Sequence, residues 1–173
     1  MNLVTDRTTE DQNSTDVAPA PLALGDLIDG VSPLQMAAAY SVFPRNGRYL
    51  EPTLYTRVLD HEGNQMLSRS SDGKAVLKES TANLMTDMLQ EAVSSGTGNI
   101  ASFAGQEIAG NSVNNTIKSD QWFVGYTPYY TAAVWSGFDT HEQVNAQVNF
   151  SASLWKQVME RAHEGLAYKS FTR

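Results

Sequence analysis

The chain has 173 residues, a formal net charge of −7 at pH 7 and no cysteine. This length suits one domain or a large part of one, and 41% hydrophobic residues is an ordinary share for a globular protein. The acidic balance argues against a nucleic-acid partner, and the missing thiols exclude disulfides and cysteine catalysis. No apolar run is long enough to span a bilayer, and the polar start does not resemble a signal peptide.

Composition divides the chain into three parts. Residues 1–20 are mostly polar, so we predict a flexible N-terminal segment. Residues 21–166 hold the periodic apolar patterns of a folded domain, and residues 167–173 are predicted to be a tail.

The first predicted helix begins at Ser32-Pro33, because serine caps helices and proline suits the first helical position. Its apolar residues predict a buried core helix, which ends near Pro44 and Gly47. Further on, residues 53–59 and 65–67 predict a polar-faced hairpin at the edge of the fold, with His61 solvated in its turn.

The second predicted helix begins near Lys78 and carries an apolar stripe formed by Leu84, Met85, Met88, Leu89, Ala92 and Val93. A small-residue loop follows it, made of Ser95, Gly96, Thr97 and Gly98. Taken alone, this loop predicts a helix end and a turn whose backbone allows close approach.

Residues 120–127 and 130–138 alternate aromatic and β-branched residues around Pro128, which predicts an antiparallel hairpin. Residues 108–113 have room for one more strand. We expect at least one of Trp122 and Trp135 to be buried. A last helix, capped by Ser151 or Ser153, should pack Leu154 and Val158 on the sheet. Together these elements predict an α+β fold with a mostly antiparallel sheet and packed helices.

Three stretches together resemble the transpeptidase domain of class A penicillin-binding proteins. Residues 22–52 contain LALG and GVSPLQMAAAY, residues 84–98 read LMTDMLQEAVSSGTG, and residues 121–137 contain WFVGYTP and TAAVW. They occur in family order, so the chain resembles the C-terminal half of that domain. The resemblance implies a partial β-lactamase/transpeptidase-like fold. Its five-stranded sheet would carry the C-terminal helix on one face and a helical lobe on the other.

The resemblance also locates a substrate-binding cleft. In the family a strand carries Lys-Thr-Gly, whose lysine supports proton transfer at a serine nucleophile. Asn111, Ser112 and Val113 occupy these positions, so the charge is lost and only the hydroxyl remains. The backbone N–H of Asn114 could still donate to an oxyanion. The loop of Ser95, Gly96, Thr97 and Gly98 would border the same cleft.

No catalytic residue is predicted in this chain. The family's Ser-x-x-Lys and Ser-x-Asn motifs precede the LALG stretch. Ser71 and Lys74 match the first pattern by letter, but they lie in a polar turn without a positioning helix. No cofactor is expected. His61, His141 and His163 have no partners at metal-ligand spacing, so no metal site is expected either.

Two functional classes remain. The first is part of a peptidoglycan D,D-transpeptidase that works outside the cytoplasmic membrane and cross-links stem peptides by serine acyl transfer. Its ligands would be a stem peptide or a β-lactam, and this chain alone should be inactive. The second is a non-catalytic binding or structural module on the same scaffold. In either case the remainder of the domain, or self-association, would cover an incompletely buried core.

Overall fold

A computed structural model of the chain describes residues 30–69, 72–114, 120–138, 140, 142–144 and 148–172. The predicted N-terminal segment 1–20, Ser71 and His141 therefore lie outside the described residues. The helices are α1 (Pro33–Tyr40), α2 (Glu79–Ser94), a 3₁₀ helix (Asn99–Ala101) and α3 (Phe150–Ala162). The strands are β1 (Arg48–Tyr49), β2 (Arg57–Leu59), β3 (Gln65–Ser68), β4 (Lys74–Ala75), β5 (Ala109–Asn114), β6 (Asp120–Tyr126) and β7 (Thr131–Gly137).

The main sheet is antiparallel and has the strand order β5-β6-β7. Its β6–β7 hairpin closes through a hydrogen bond from Thr127 N to Tyr130 O of 2.9 Å, which confirms the predicted hairpin and the extra strand before it. The remaining strands form two small sheets, β1–β4 and β2–β3. The described residues thus contribute three strands to the main sheet rather than the five implied by the resemblance.

Helices cover both faces of the main sheet. On one face, α3 places Trp155 against Phe123 with ring centroids 4.9 Å apart. On the other face, Tyr126 stacks on Phe43 just after α1 and its hydroxyl lies 2.9 Å from Thr86 Oγ1 of α2. No helix in the described ranges is both long and apolar enough to cross a membrane.

Of the predicted apolar face of α3, Trp155 and Met159 are buried, but the prediction that Leu154 and Val158 pack on the sheet is wrong. Leu154 and Val158 are 38% and 54% exposed, while the helix buries Ser151, Ala152, Trp155 and Met159. Two of these buried residues, Ser151 and Ala152, are small, so α3 can pack close to the sheet. A Cβ placed on Gly125 would lie only 3.0 Å from Trp155 Cζ2.

The two earlier helices are also less buried than predicted. Helix α1 has the predicted Ser32 cap and proline start, but Ala38 is its only buried residue and Leu34 is 62% exposed. Helix α2 buries Ala82, Thr86, Leu89 and Val93, which recur at helical spacing. The predicted stripe members Leu84 and Met88 are 61% and 59% exposed, because the stripe was placed about one residue out of phase.

The tryptophan prediction for the hairpin is wrong. Trp122 and Trp135 face each other across β6 and β7, and both are only half-buried. They lie at the end of the hairpin remote from its turn, whereas Phe43, Thr86 and Phe171 gather around Tyr126 near the turn. The fully buried tryptophan is Trp155, at 0% exposure.

The residues after α3 pack on the domain. Gln106 Nε2 donates to Ala167 O at 2.8 Å, and Phe171 N donates to Glu107 Oε2 at 3.0 Å. The Phe171 ring meets Tyr126 edge-on at 5.4 Å and is 8% exposed. The predicted tail therefore packs on the domain and contributes Phe171 to the core around Tyr126.

Candidate functional site

The small-residue loop approaches the main sheet at β6, the strand that pairs with β5. Ser95, Gly96 and Thr97 are exposed after the end of α2, and Gly98 is buried. A Cβ placed on Gly98 would lie 3.5 Å from Phe123 Cε2, and Phe123 is the cross-strand partner of Ser112. The structure therefore packs the end of the loop on β6, whose partner β5 lies at one edge of the strand order.

Asn111 lies on the face of the sheet that α1 covers. Burial raises the pKa of Tyr40, and a hydrogen bond with the Asn111 side chain opposes that rise. The residue predicted to occupy the motif-lysine position therefore lies close to Tyr40 at the end of α1. Because asparagine carries no charge, it also supplies no ammonium group to a reacting serine.

Ser112 points to the opposite face, because side chains alternate along a strand. There Asn149 Nδ2 donates to Ser112 Oγ at 2.8 Å and to Trp122 O at 3.2 Å. Asn149 Oδ1 accepts from Ala152 N at 2.9 Å and so caps α3. The prediction that Ser151 or Ser153 caps this helix is wrong. An asparagine just before a helix start is a standard capping signal that the sequence analysis overlooked.

The N-terminus of α3 is joined to the sheet by further polar contacts. Phe150 N donates to Gln121 Oε1 at 2.9 Å, and Ser151 Oγ donates to Gln121 O at 2.8 Å. Ser136 Oγ lies 2.7 Å from Ser151 Oγ, and it is the donor because the Ser151 proton is already used. This network fixes the position of Asn149 relative to β5 and β6.

The remaining motif positions lie further along β5. Val113 is opposite Trp122 and 47% exposed, and Asn114 is opposite Gln121. Two open grooves of about 480 and 400 Å³ occur elsewhere among the described residues. One is lined by α2 and residues 102–108, the other by α1 and the β6–β7 turn. Neither of these two grooves is lined by Asn111, Ser112 or Val113.

Nucleophile patterns do not coincide with this surface. Lys74 lies exposed in β4. The sequence contains a second Ser-x-x-Lys pattern, Ser153 to Lys156, which the sequence analysis missed. Both residues are half-buried near the start of α3, and Gln157 Nε2 lies 3.5 Å from Ser153 Oγ.

His163 has a structural role. Its Nδ1 donates to Met159 O at 2.6 Å, since a carbonyl only accepts, and Thr127 Oγ1 donates to Nε2 at 2.8 Å. The residue is 7% exposed and packs against Phe103 and Tyr130. Within the described ranges, no group of three or more potential ligands could hold a metal ion.

The sequence matches a known family over most of its length. Residues 5–160 match the family described as penicillin binding protein transpeptidase domain. The chain therefore belongs to this family, and it has the expected α+β, partly transpeptidase-like fold.

Among individual relatives, penicillin-binding protein 1A from Clostridium botulinum (strain Langeland) is 43% identical over 152 residues, which are 87% of this chain and 18% of the relative. Penicillin-binding protein 1F from Bacillus subtilis (strain 168) is 36% identical over 152 residues, covering 83% of this chain and 21% of its own length. The chain thus spans about a fifth of these curated relatives.

Solved structures share the fold at lower sequence identity. The PonA1 protein from Mycobacterium tuberculosis, in complex with penicillin V, aligns with a TM-score of 0.76 and 20% identity over 99% of this chain and 50% of its own. The D,D-transpeptidase domain of a peptidoglycan glycosyltransferase from Eggerthella lenta gives 0.65 and 23%, covering 78% of this chain and 32% of its own. Both likenesses concern the fold.

Proposed function

We propose that this chain supplies the substrate-side strand and loop of a peptidoglycan D,D-transpeptidase domain. The proposal rests on family membership and on one observation: the loop ending at Gly98 packs against Phe123, which is the cross-strand partner of Ser112 in an edge strand. An edge strand can take an extended peptide alongside it. The ligand would be a stem peptide ending in D-Ala-D-Ala, or a β-lactam, and the whole protein would act outside the cytoplasmic membrane.

The same proposal assigns the rest of the domain as the cover for exposed apolar side chains. Leu34, Leu84 and Met88 are each about 60% exposed on helices that already use their other faces. Within the described part of the chain, β7 pairs only with β6. These features support an incompletely covered core, and self-association is the competing explanation.

The chain itself would not form an acyl-enzyme. Acylation needs a serine beside a base and donors for the oxyanion. Asn111 stands at the position of the motif lysine and lies beside Tyr40, while Ser112 faces α3 and accepts a hydrogen bond from Asn149. Loss of a catalytic unit typically slows such chemistry by several orders of magnitude.

The test is covalent labelling with a fluorescent penicillin, followed by denaturing electrophoresis and intact-mass measurement. We expect no stoichiometric adduct on the chain. The matched variants are Ser112→Ala in the strand and Ser153→Ala in the overlooked Ser-x-x-Lys of α3. An adduct that disappears in one of these variants would identify that serine as a nucleophile and refute the proposed inactivity.

A non-catalytic structural module on the same scaffold is the second candidate. The observation in its favour is that Ser112 already accepts an internal hydrogen bond from Asn149. Titration with N-acetyl-D-Ala-D-Ala, followed by NMR amide shifts, separates the candidates. Shifts in β5 and residues 95–98 support the peptide-binding strand, whereas the absence of shifts there favours the structural module.

A further inference from the structure

We propose that Asn149 is a positioning residue for Ser112, holding its hydroxyl so that the proton is presented to the carboxylate of a bound peptide. The inference rests on the proposed peptide-binding function. It concerns a residue outside the recognised sequence motifs, since Asn149 lies 37 positions from Ser112.

The side chain of Asn149 is held from both ends. It is 7% exposed, its Oδ1 accepts from Ala152 N at 2.9 Å, and its Nδ2 reaches Ser112 Oγ and Trp122 O. The direction of the amide follows from these partners, because a backbone N–H must meet the oxygen and a backbone carbonyl must meet the nitrogen. Asn149 therefore acts on Ser112 as a donor.

This donor constrains the Ser112 hydroxyl. A serine oxygen accepts at its lone pairs and donates one proton that rotates to a partner. Because Asn149 occupies an acceptor position, the Ser112 proton must point away from Asn149 Nδ2. Among the described residues this proton has no acceptor, and the side chain is half-buried rather than sealed from ligands.

Within the segment Asn111-Ser112-Val113, the Ser112 hydroxyl is therefore the side-chain donor that can bind an anion. Asn111 lies beside Tyr40 on the opposite face of the sheet from Ser112, and Val113 is apolar. Hydrogen bonds to an ionised acceptor are roughly twice as strong as neutral ones, so a pre-set hydroxyl favours a carboxylate over an amide. A donor fixed in advance also avoids the ordering cost on binding.

The experiment compares two probes, N-acetyl-D-Ala-D-Ala and its C-terminal amide, by NMR titration of the whole chain. For the wild type we expect the acid to bind several-fold to about tenfold more tightly than the amide. Asn149→Ser keeps a neutral helix cap but removes the amide Nδ2 that donates to Ser112. We expect it to bring this ratio close to that of Ser112→Ala, and the double variant should change it no further.

The acid-to-amide ratio is the decisive readout, because a purely structural role would weaken both probes alike. Asn149→Thr is a second neutral cap in case the serine variant folds poorly. Asn64→Ser, in the exposed β2–β3 turn, is the control and should leave the ratio at its wild-type value. A ratio unchanged in both Asn149 variants overturns the positioning role alone. A wild type that binds neither probe overturns the peptide-binding function as well.

Discussion

The two hairpins β6–β7 and β2–β3 have similar local designs and opposite burial. In β6, Phe123, Val124 and Tyr126 are at most 4% exposed. In β2–β3 every residue is exposed, including Val58 at 38% and Leu67 at 52%. The difference does not come from a lack of apolar side chains in the second hairpin.

Both turns are closed by a side-chain oxygen. Thr127 Oγ1 accepts from Tyr129 N at 3.1 Å and from Tyr130 N at 3.2 Å. Asp60 Oδ1 accepts from Glu62 N at 2.9 Å and from Asn64 N at 2.8 Å. The turn residues are therefore sufficient to form a hairpin in both places. Only β6–β7 belongs to the core, because helices pack on both faces of its sheet.

The largest expected effect tests this contrast in the core. Trp155→Ala removes a fully buried ring that contacts Phe123 and donates from Nε1 to Ala132 O at 3.0 Å. We expect the free energy of unfolding to fall by about 3–5 kcal/mol, measured by urea denaturation. Leu67→Ala in β3 is the matched control and should cost about 0.5 kcal/mol or less. Similar losses in the two variants would show that the hairpins do not differ as described.

The sequence predicted those parts of the fold that are specified locally. Alternation marked β6 and β7, and Ser32-Pro33 marked the start of α1. The face that each helix buries was not predictable in this way. In α3, Leu154 and Trp155 are adjacent and both apolar, so the sequence does not show which of them packs inward. The close approach of α3 to Gly125 determines that Trp155 packs inward. Such a choice depends on a partner far away in the sequence.

In the candidate site, too, local features could be predicted from the sequence and long-range contacts could not. The positions of Asn111, Ser112 and Val113 came from the resemblance and its spacing, and the structure places them in β5. Asn149 could have been recognised as a helix cap from local sequence. Its contact with Ser112 could not, since the two residues meet only after α3 docks on the sheet.

A smaller effect should distinguish the core hairpin by its response to alkaline pH. Burial raises the pKa of Tyr126 well above its ordinary value, and the hydrogen bond with Thr86 only partly opposes this. Tyr126→Phe removes that hydrogen bond, so we expect a loss of about 1 kcal/mol in unfolding free energy at neutral pH.

The sign of the pH dependence follows from the raised pKa. The folded state holds the Tyr126 proton more tightly than the unfolded chain, so its contribution is complete below pH 10 and decreases as pH rises further. Stability curves from pH 8 to 11 should therefore fall less steeply for Tyr126→Phe than for the wild type. Parallel curves would mean that Tyr126 is not buried in its neutral form.

The smallest expected effect is the acid titration of Asp60 in the exposed β2–β3 hairpin. It should change that turn without changing the core. Hydrogen bonds from the side chain and backbone of Asn64 hold the pKa of Asp60 below its ordinary value of 3.8. A lowered pKa stabilises the turn above that value, and the contribution disappears as pH falls through the folded pKa. NMR should then show the Asn64 amide shift titrating in acid, and Asp60→Asn should abolish that titration. The Trp155 indole signal should not follow the same midpoint, because helix packing rather than turn chemistry holds the core hairpin. A shared midpoint would mean that the two hairpins are coupled.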